Sequence, residues 1–165
     1  MAAPLANLKI LDFSTLLPGP YATMMLADMG AEVLRIEAPD RVDLAKVMPP
    51  FDGKFSTTFS YLGRGKQTLQ LNLKQPESVE RVKQLVQDYD IVVEQFRPGV
   101  MDRLGIGYEV LKAINPNIED MRQLMKLYGI NPRLTNPGFI FTNPTRSGED
   151  NFLFEEDEIP IVSPI

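Results

Sequence analysis

Hydrophobic and polar positions along the chain fall into short blocks whose periods alternate between two and about 3.6. Lys9-Ile10-Leu11-Asp12-Phe13 is short and apolar, with a polar residue near its end, and predicts a first strand. Ser14 to Pro20 predicts a turn, because Pro18-Gly19-Pro20 interrupts any regular pattern. Tyr21 to Met29 predicts a helix with Ala22, Met25, Leu26 and Met29 at helical spacing, and Gly30 stands at its C-cap position. Glu32 to Glu37 alternates cleanly and predicts a second strand. This β–loop–α–β order within some thirty residues is the start of a doubly wound α/β sheet.

The pattern continues less regularly. Residues 39–66 are rich in Pro, Gly, Asp and Ser and predict a long surface excursion. Thr68 to Leu73 predicts a strand. Pro76 suits the first turn of a helix running to about Tyr89, with Val79, Val82, Leu85 and Val86 as its apolar face. Asp90 to Phe96 predicts the next strand, and Tyr108 to Ile114 a short helix closed by Asn115-Pro116. After Ile118 the period degrades. Residues 119–128 suit one helix ending at Gly129, and Asn-Pro pairs then punctuate a stretch that ends in an acidic run and Pro-spaced apolar residues. The expected organisation is a folded region over 1–118 and an unmatched, Pro-rich extension with an acidic tail over 119–165.

Composition narrows the chemistry. With 44% hydrophobic and 24% charged residues in 165, a packed core is expected. No apolar run approaches the roughly 18 residues of a membrane span, and the first residues lack a basic segment followed by an apolar one. No membrane partner and a cytoplasmic location are therefore expected. The chain has no Cys and no His. Thiolate chemistry, disulfides and the commonest metal ligands are thus excluded from these residues, and no metal site is expected. The net charge of −5 argues against a nucleic-acid partner. Residues 119–165 hold 8 acidic and 4 basic residues, against a nearly balanced 14 and 13 in residues 1–118.

Three constellations carry candidate chemistry. The first βα turn is where a dinucleotide fold places Gly-x-Gly-x-x-Gly; here Pro18 and Pro20 remove two N–H donors, so NAD binding is disfavoured, and Glu37 reads as an ordinary strand-end acid. Lys74, Arg97 and Arg103 follow predicted strands, where ligands of open α/β sheets bind. They make either a site for a polyanion or a solvated rim. Asp12, within an apolar strand, is a candidate carboxylate, and the better expectation is a structural acid accepting backbone hydrogen bonds. Tyr21 is expected to pack or to cap the helix, and Asp150 to lie in an acidic loop.

The chain resembles the CaiB/BaiF group, the family III CoA-transferases, which includes α-methylacyl-CoA racemases. The segments that carry the resemblance are 5–13, Pro18-Gly19-Pro20, 26–37, 61–74 and 90–105, ending near Asn115-Pro116. The resemblance implies a Rossmann-like, open, mostly parallel sheet with helices on both faces. It implies CoA or acyl-CoA as substrate rather than a permanently bound cofactor, and a dimer of interlocked subunits. It places Leu71, Asn72, Leu73 and Lys74 against the adenosine part of CoA, and Gln95, Phe96, Arg97 and Arg103 along the same site. Family members often carry an Arg just after the second strand; Ala38 stands there, with Arg41 close enough to substitute.

The family reaction is CoA transfer between carboxylic acids through a catalytic Asp, or α-proton exchange in 2-methylacyl-CoA by an Asp–His pair. Gly63-Arg64-Gly65-Lys66 and 96–101 lean toward the racemase branch, whereas the missing His opposes it. No segment matching the one that bears the catalytic Asp is recognised after Ile118, so the catalytic residue is unknown and enzymatic activity of the chain alone is an open question. A sheet face without full cover is then expected, and with it association with a second copy or another polypeptide. The alternatives are a non-catalytic binding or interaction module and, less favoured, an NAD-dependent oxidoreductase.

Overall fold

The computed structural model describes residues 3–97 and 99–118. Four parallel strands form the sheet: β1 (Lys9–Asp12), β2 (Glu32–Glu37), β5 (Lys66–Gln70) and β6 (Ile91–Val93), in the order β5-β2-β1-β6. Between β2 and β5 lie a 3-10 turn (Leu44–Lys46), the antiparallel pair β3 (Phe51–Asp52) and β4 (Phe55–Ser56), and helix α2 (Thr57–Gly63). Helix α1 (Pro18–Asp28) joins β1 to β2, and α3 (Pro76–Val86) joins β5 to β6. Two short helices, α4 (Val100–Arg103) and α5 (Tyr108–Ile114), follow.

Strand alternation builds a separate core on each face. Leu11, Leu34, Ile36 and Val92 point to one side, where Val82 and Val86 of α3 and Leu111 of α5 close over them. Ile10, Val33, Ile91 and Val93 point to the other, with Leu26 and Ala27 of α1 packed on them. Burial of Val82 and Val86, with Val79 and Leu85 at the margin, matches the face predicted for α3. The parallel sheet with helices on both faces matches the predicted architecture.

The boundaries differ in instructive ways. Helix α1 begins at Pro18 rather than Tyr21, because Pro18 and Pro20 occupy first-turn positions whose N–H groups have no partner within the helix. Its buried residues are Gly19, Pro20, Thr23 and Met24, whereas Met25 and Met29 of the predicted face are exposed. Gly30, at φ 100°, ends the helix as predicted. The 39–66 excursion contains its own small elements, and β5 begins at Lys66 instead of Thr68. The helix predicted at 119–128 lies outside the described residues.

Exposed large apolar side chains cluster on one stretch of chain. Leu17, Tyr21, Met25 and Met29 run along the outer side of α1, and Val42, Phe55 and Tyr61 extend the surface across the excursion. Among the described residues, Val110 alone of the exposed large hydrophobics lies outside 16–61. Tyr21, expected to pack or cap, stands 44% exposed in this group, so packing in the core is not its role. No helix of the described residues is long and apolar enough to cross a membrane.

Candidate functional site

Strand order decides where an open α/β sheet can hold a ligand. The chain proceeds from β1 outward through β2 to β5, and α3 then carries it back to place β6 on the other side of β1. Connections therefore diverge between β1 and β6, the place where open α/β sheets form a ligand crevice beyond the carboxyl ends of the strands. Residues 13–17 form one wall and 94–97 the other. Phe13 N–H donates to Val93 O at 2.8 Å, and Gln95 Nε2 donates to Thr15 Oγ1 at 3.0 Å, joining the walls at the base. Gln95 Oε1 is buried and has no hydrogen-bond partner.

Gly19 brings the start of α1 against this crevice. A Cβ there would overlap the Cβ and Oγ of Ser14 and lie 3.1 Å from Gln95 Oε1. The helix start is poor in donors, since Pro18 and Pro20 have none and Tyr21 N–H is satisfied by Leu17 O at 2.9 Å. It is no phosphate cradle of the glycine-rich kind, in agreement with the disfavoured NAD reading.

A buried polar cluster underlies the helix. Asp12 is fully buried; its Oδ1 accepts from the backbone N–H and the hydroxyl of Ser14, and its Oδ2 accepts from Thr23 Oγ1 at 2.5 Å. Lys66 crosses from β5 to join it, donating to Thr23 Oγ1 at 2.6 Å, Pro20 O at 2.8 Å and Asp12 Oδ2 at 3.3 Å. Burial pulls the Lys66 ammonium below its ordinary value of 10.5, while the Asp12 carboxylate opposes that shift. Both carboxylate oxygens of Asp12 are thus engaged, Oδ1 with Ser14 of the loop and Oδ2 with Thr23 of α1 and Lys66 of β5, as expected of a structural acid. Glu37 likewise pairs with Lys46 at 2.7 Å and Arg35 at 3.5 Å, which accounts for it without a ribose.

The residues proposed for a polyanion all lie at the carboxyl edge, in two groups. On the β2–β5 side, Arg41 is exposed and Lys74 pairs with Asp40 at 3.1 Å. The hydrogen bond from Lys74 holds the Asp40 carboxyl below its usual range. Leu71 and Leu73 pack against the core, and Asn72 Oδ1 accepts from Lys74 N–H at 3.1 Å, so this segment offers Lys74 and backbone more than apolar side chains. On the β6 side, Arg97 and Arg103 are exposed, and Phe96 packs against the core. Arg97 O accepts from Val100 N–H at 3.1 Å, a turn that brings Arg103 back over Gly99. The two groups stand about three strand spacings apart, roughly 14 Å. A compact anion could not touch both, whereas an extended polyanion could.

Comparison with known proteins shows the family of the chain. The sequence model of CoA-transferase family III matches residues 5–139. The chain belongs to this family. It is 40% identical over 116 residues to human succinyl-CoA:glutarate CoA-transferase, covering 70% of this chain and 26% of that protein. It is 43% identical over 119 residues to succinyl-CoA:mesaconate CoA-transferase of Haloarcula marismortui, covering 69% and 30%. A CaiB/BaiF family protein from Brucella suis superimposes with a TM-score of 0.64 at 33% identity, over 70% of this chain and 32% of that one. The family III chain thus spans about a quarter to a third of the relatives it matches.

Sequence reading missed the Asp12–Lys66 contact and the role of Asp43, which joins the excursion to the first βα loop. Asp12 and Lys66 are 54 residues apart, and no local pattern links them.

Proposed function

We propose that this chain binds the CoA moiety of an acyl-CoA along the carboxyl edge of its sheet, as the coenzyme-holding part of a CoA transfer between carboxylic acids. The observation that supports this reading is the reversal of strand order between β1 and β6, with exposed cations on the segments that follow β2, β5 and β6, in a chain of family III. The proposed contacts are Leu71, Asn72, Lys74 and Arg41 on one side and Gln95, Arg97 and Arg103 on the other. Arg side chains suit phosphate through paired N–H donors, and Lys74 supplies a mobile point charge. Transfer is preferred over α-proton exchange because the similar enzymes are CoA-transferases. A cytoplasmic setting belongs to the same reading. So does association with a second copy or another polypeptide, which the exposed apolar surface of α1 and the excursion supports.

Calorimetric titration with CoA and acetyl-CoA tests it. Lys74→Ala and Arg97→Ala should each weaken binding by about tenfold, the loss of one charge-assisted contact. Unchanged affinity in both variants of a folded chain would sink the assignment. Asp40→Asn should act the opposite way, strengthening binding by roughly two- to threefold at low salt, because phosphate no longer competes with a carboxylate for Lys74.

A further inference from the structure

Leu16 is, among the described residues, the one non-glycine with a positive φ, at 62°. L side chains seldom adopt that conformation unless neighbours impose it. It lies in the loop between β1 and α1, on the wall of the crevice, and its side chain is exposed. Its backbone N–H donates to Asp43 Oδ1 at 3.3 Å, from a residue 27 positions further along.

Asp43 is itself firmly held. The same Oδ1 accepts from Ala45 N–H at 2.9 Å, capping the 3-10 turn, and Oδ2 pairs with the buried Arg35 of β2. Arg35 also faces Glu37 at 3.5 Å, Glu37 binds Lys46 at 2.7 Å, and both cations lie over the Phe59 ring of α2 at 4.9 and 4.8 Å. This alternating set of charges anchors the turn to the sheet, and from that anchor one carboxylate oxygen reaches the crevice loop.

We propose that Asp43 is a positioning residue for the coenzyme crevice: it holds the 14–17 loop in the shape the ligand meets, and so couples the 43–56 part of the excursion to ligand binding. The ligand half of this inference rests on the CoA reading above. Asp43 touches no ligand in this account; it acts through the backbone of Leu16. Because coupling is reciprocal, a ligand that selects this loop shape also tightens the excursion.

The test combines two measurements on the full chain. Asp43→Asn is the first variant, and Arg35 keeps Glu37 and Phe59 in it. Hydrogen exchange without ligand should speed up at Leu16 and its neighbours, while amides of β1, β2 and β6 stay as protected as before. CoA affinity should fall roughly tenfold. Adding CoA to wild type should slow exchange across 43–56, and Asp43→Asn should lose that effect. Leu16→Gly, which tolerates a positive φ without a partner, should restore part of the affinity when combined with Asp43→Asn; a merely stabilising role for Asp43 predicts no such rescue. Unaltered loop exchange in a folded Asp43→Asn variant would overturn the positioning role. Faster exchange with unaltered CoA affinity would overturn the coupling. Wild type that binds no CoA would overturn the ligand reading, and the ligand-free exchange result still decides the loop contact separately. Should Asp43→Asn fail to fold, Leu16→Gly alone carries the test: CoA still slowing exchange across 43–56 supports the coupling, and a CoA complex that leaves this segment unaltered overturns it.

Discussion

Asp12→Ala should cost the folded chain about 3–5 kcal/mol in urea unfolding, the range for removing one partner of a buried ion pair. The side chain of Lys66 is 1% exposed, so its ammonium cannot turn to water when the carboxylate is lost. Ser14 and Thr23 lose their shared acceptor at the same time. Against the roughly 5–15 kcal/mol that separates a native domain from its unfolded state, that is a large fraction. Lys66→Met should cost less, since Asp12 retains three donors, and the double variant Asp12→Asn/Lys66→Met should be more stable than additivity predicts. Additive losses would show that the two groups do not act as a pair. The pH dependence has a definite sign. The folded-state pKa of Lys66 lies below 10.5, so the unfolded chain binds the proton more tightly within that window. The contribution of Lys66 to stability therefore rises with pH up to about 10.5, falls as pH drops through the folded pKa, and is absent from Lys66→Met.

Gly19→Ala should destabilise by about 1–3 kcal/mol and should also weaken CoA binding. Most single methyl additions near a surface are harmless; this one meets Ser14 Cβ and Oγ inside contact distance. Ser14 cannot yield, because its hydroxyl and N–H are both committed to Asp12. The helix must lift instead, and it lifts away from the crevice wall that Gln95 and Thr15 close. Gly63→Ala is the matched control. Nothing lies within 4 Å of a Cβ at Gly63, which ends α2 without a positive φ, so that change should be neutral or stabilise by up to about 1 kcal/mol. Equal thermal shifts in the two variants would refute the argument from contact.

Much of the scaffold was legible because it depends on local periods. The strand at 32–37 was legible from its sequence pattern, and the spacing of Val82 and Val86 identified the buried side of α3, whereas only the fold shows that Val33 and Leu34 serve separate cores. Helix α1 was misread for a physical reason. Apolar residues stand on both of its sides, so spacing cannot choose between them, and the Asp12–Lys66 cluster draws the polar Thr23 inward while Met25 and Met29 face out. The cations at strand ends were visible as residues following strands. Which of them share a side of the crevice was not, because β5 and β6 occupy opposite edges of the sheet.

By itself, the sequence determined the order of the four sheet strands and of the helices α1, α3 and α5, the family resemblance, the lack of a glycine-rich phosphate loop, and the lack of His and Cys side chains in these residues. These follow from neighbouring residues and from composition. Only the tertiary structure decided the position of the crevice, the burial of Lys66 against Asp12, and the hold of Asp43 on Leu16. Each of these depends on which distant segments the sheet order brings side by side, and in this chain that order reverses between β1 and β6.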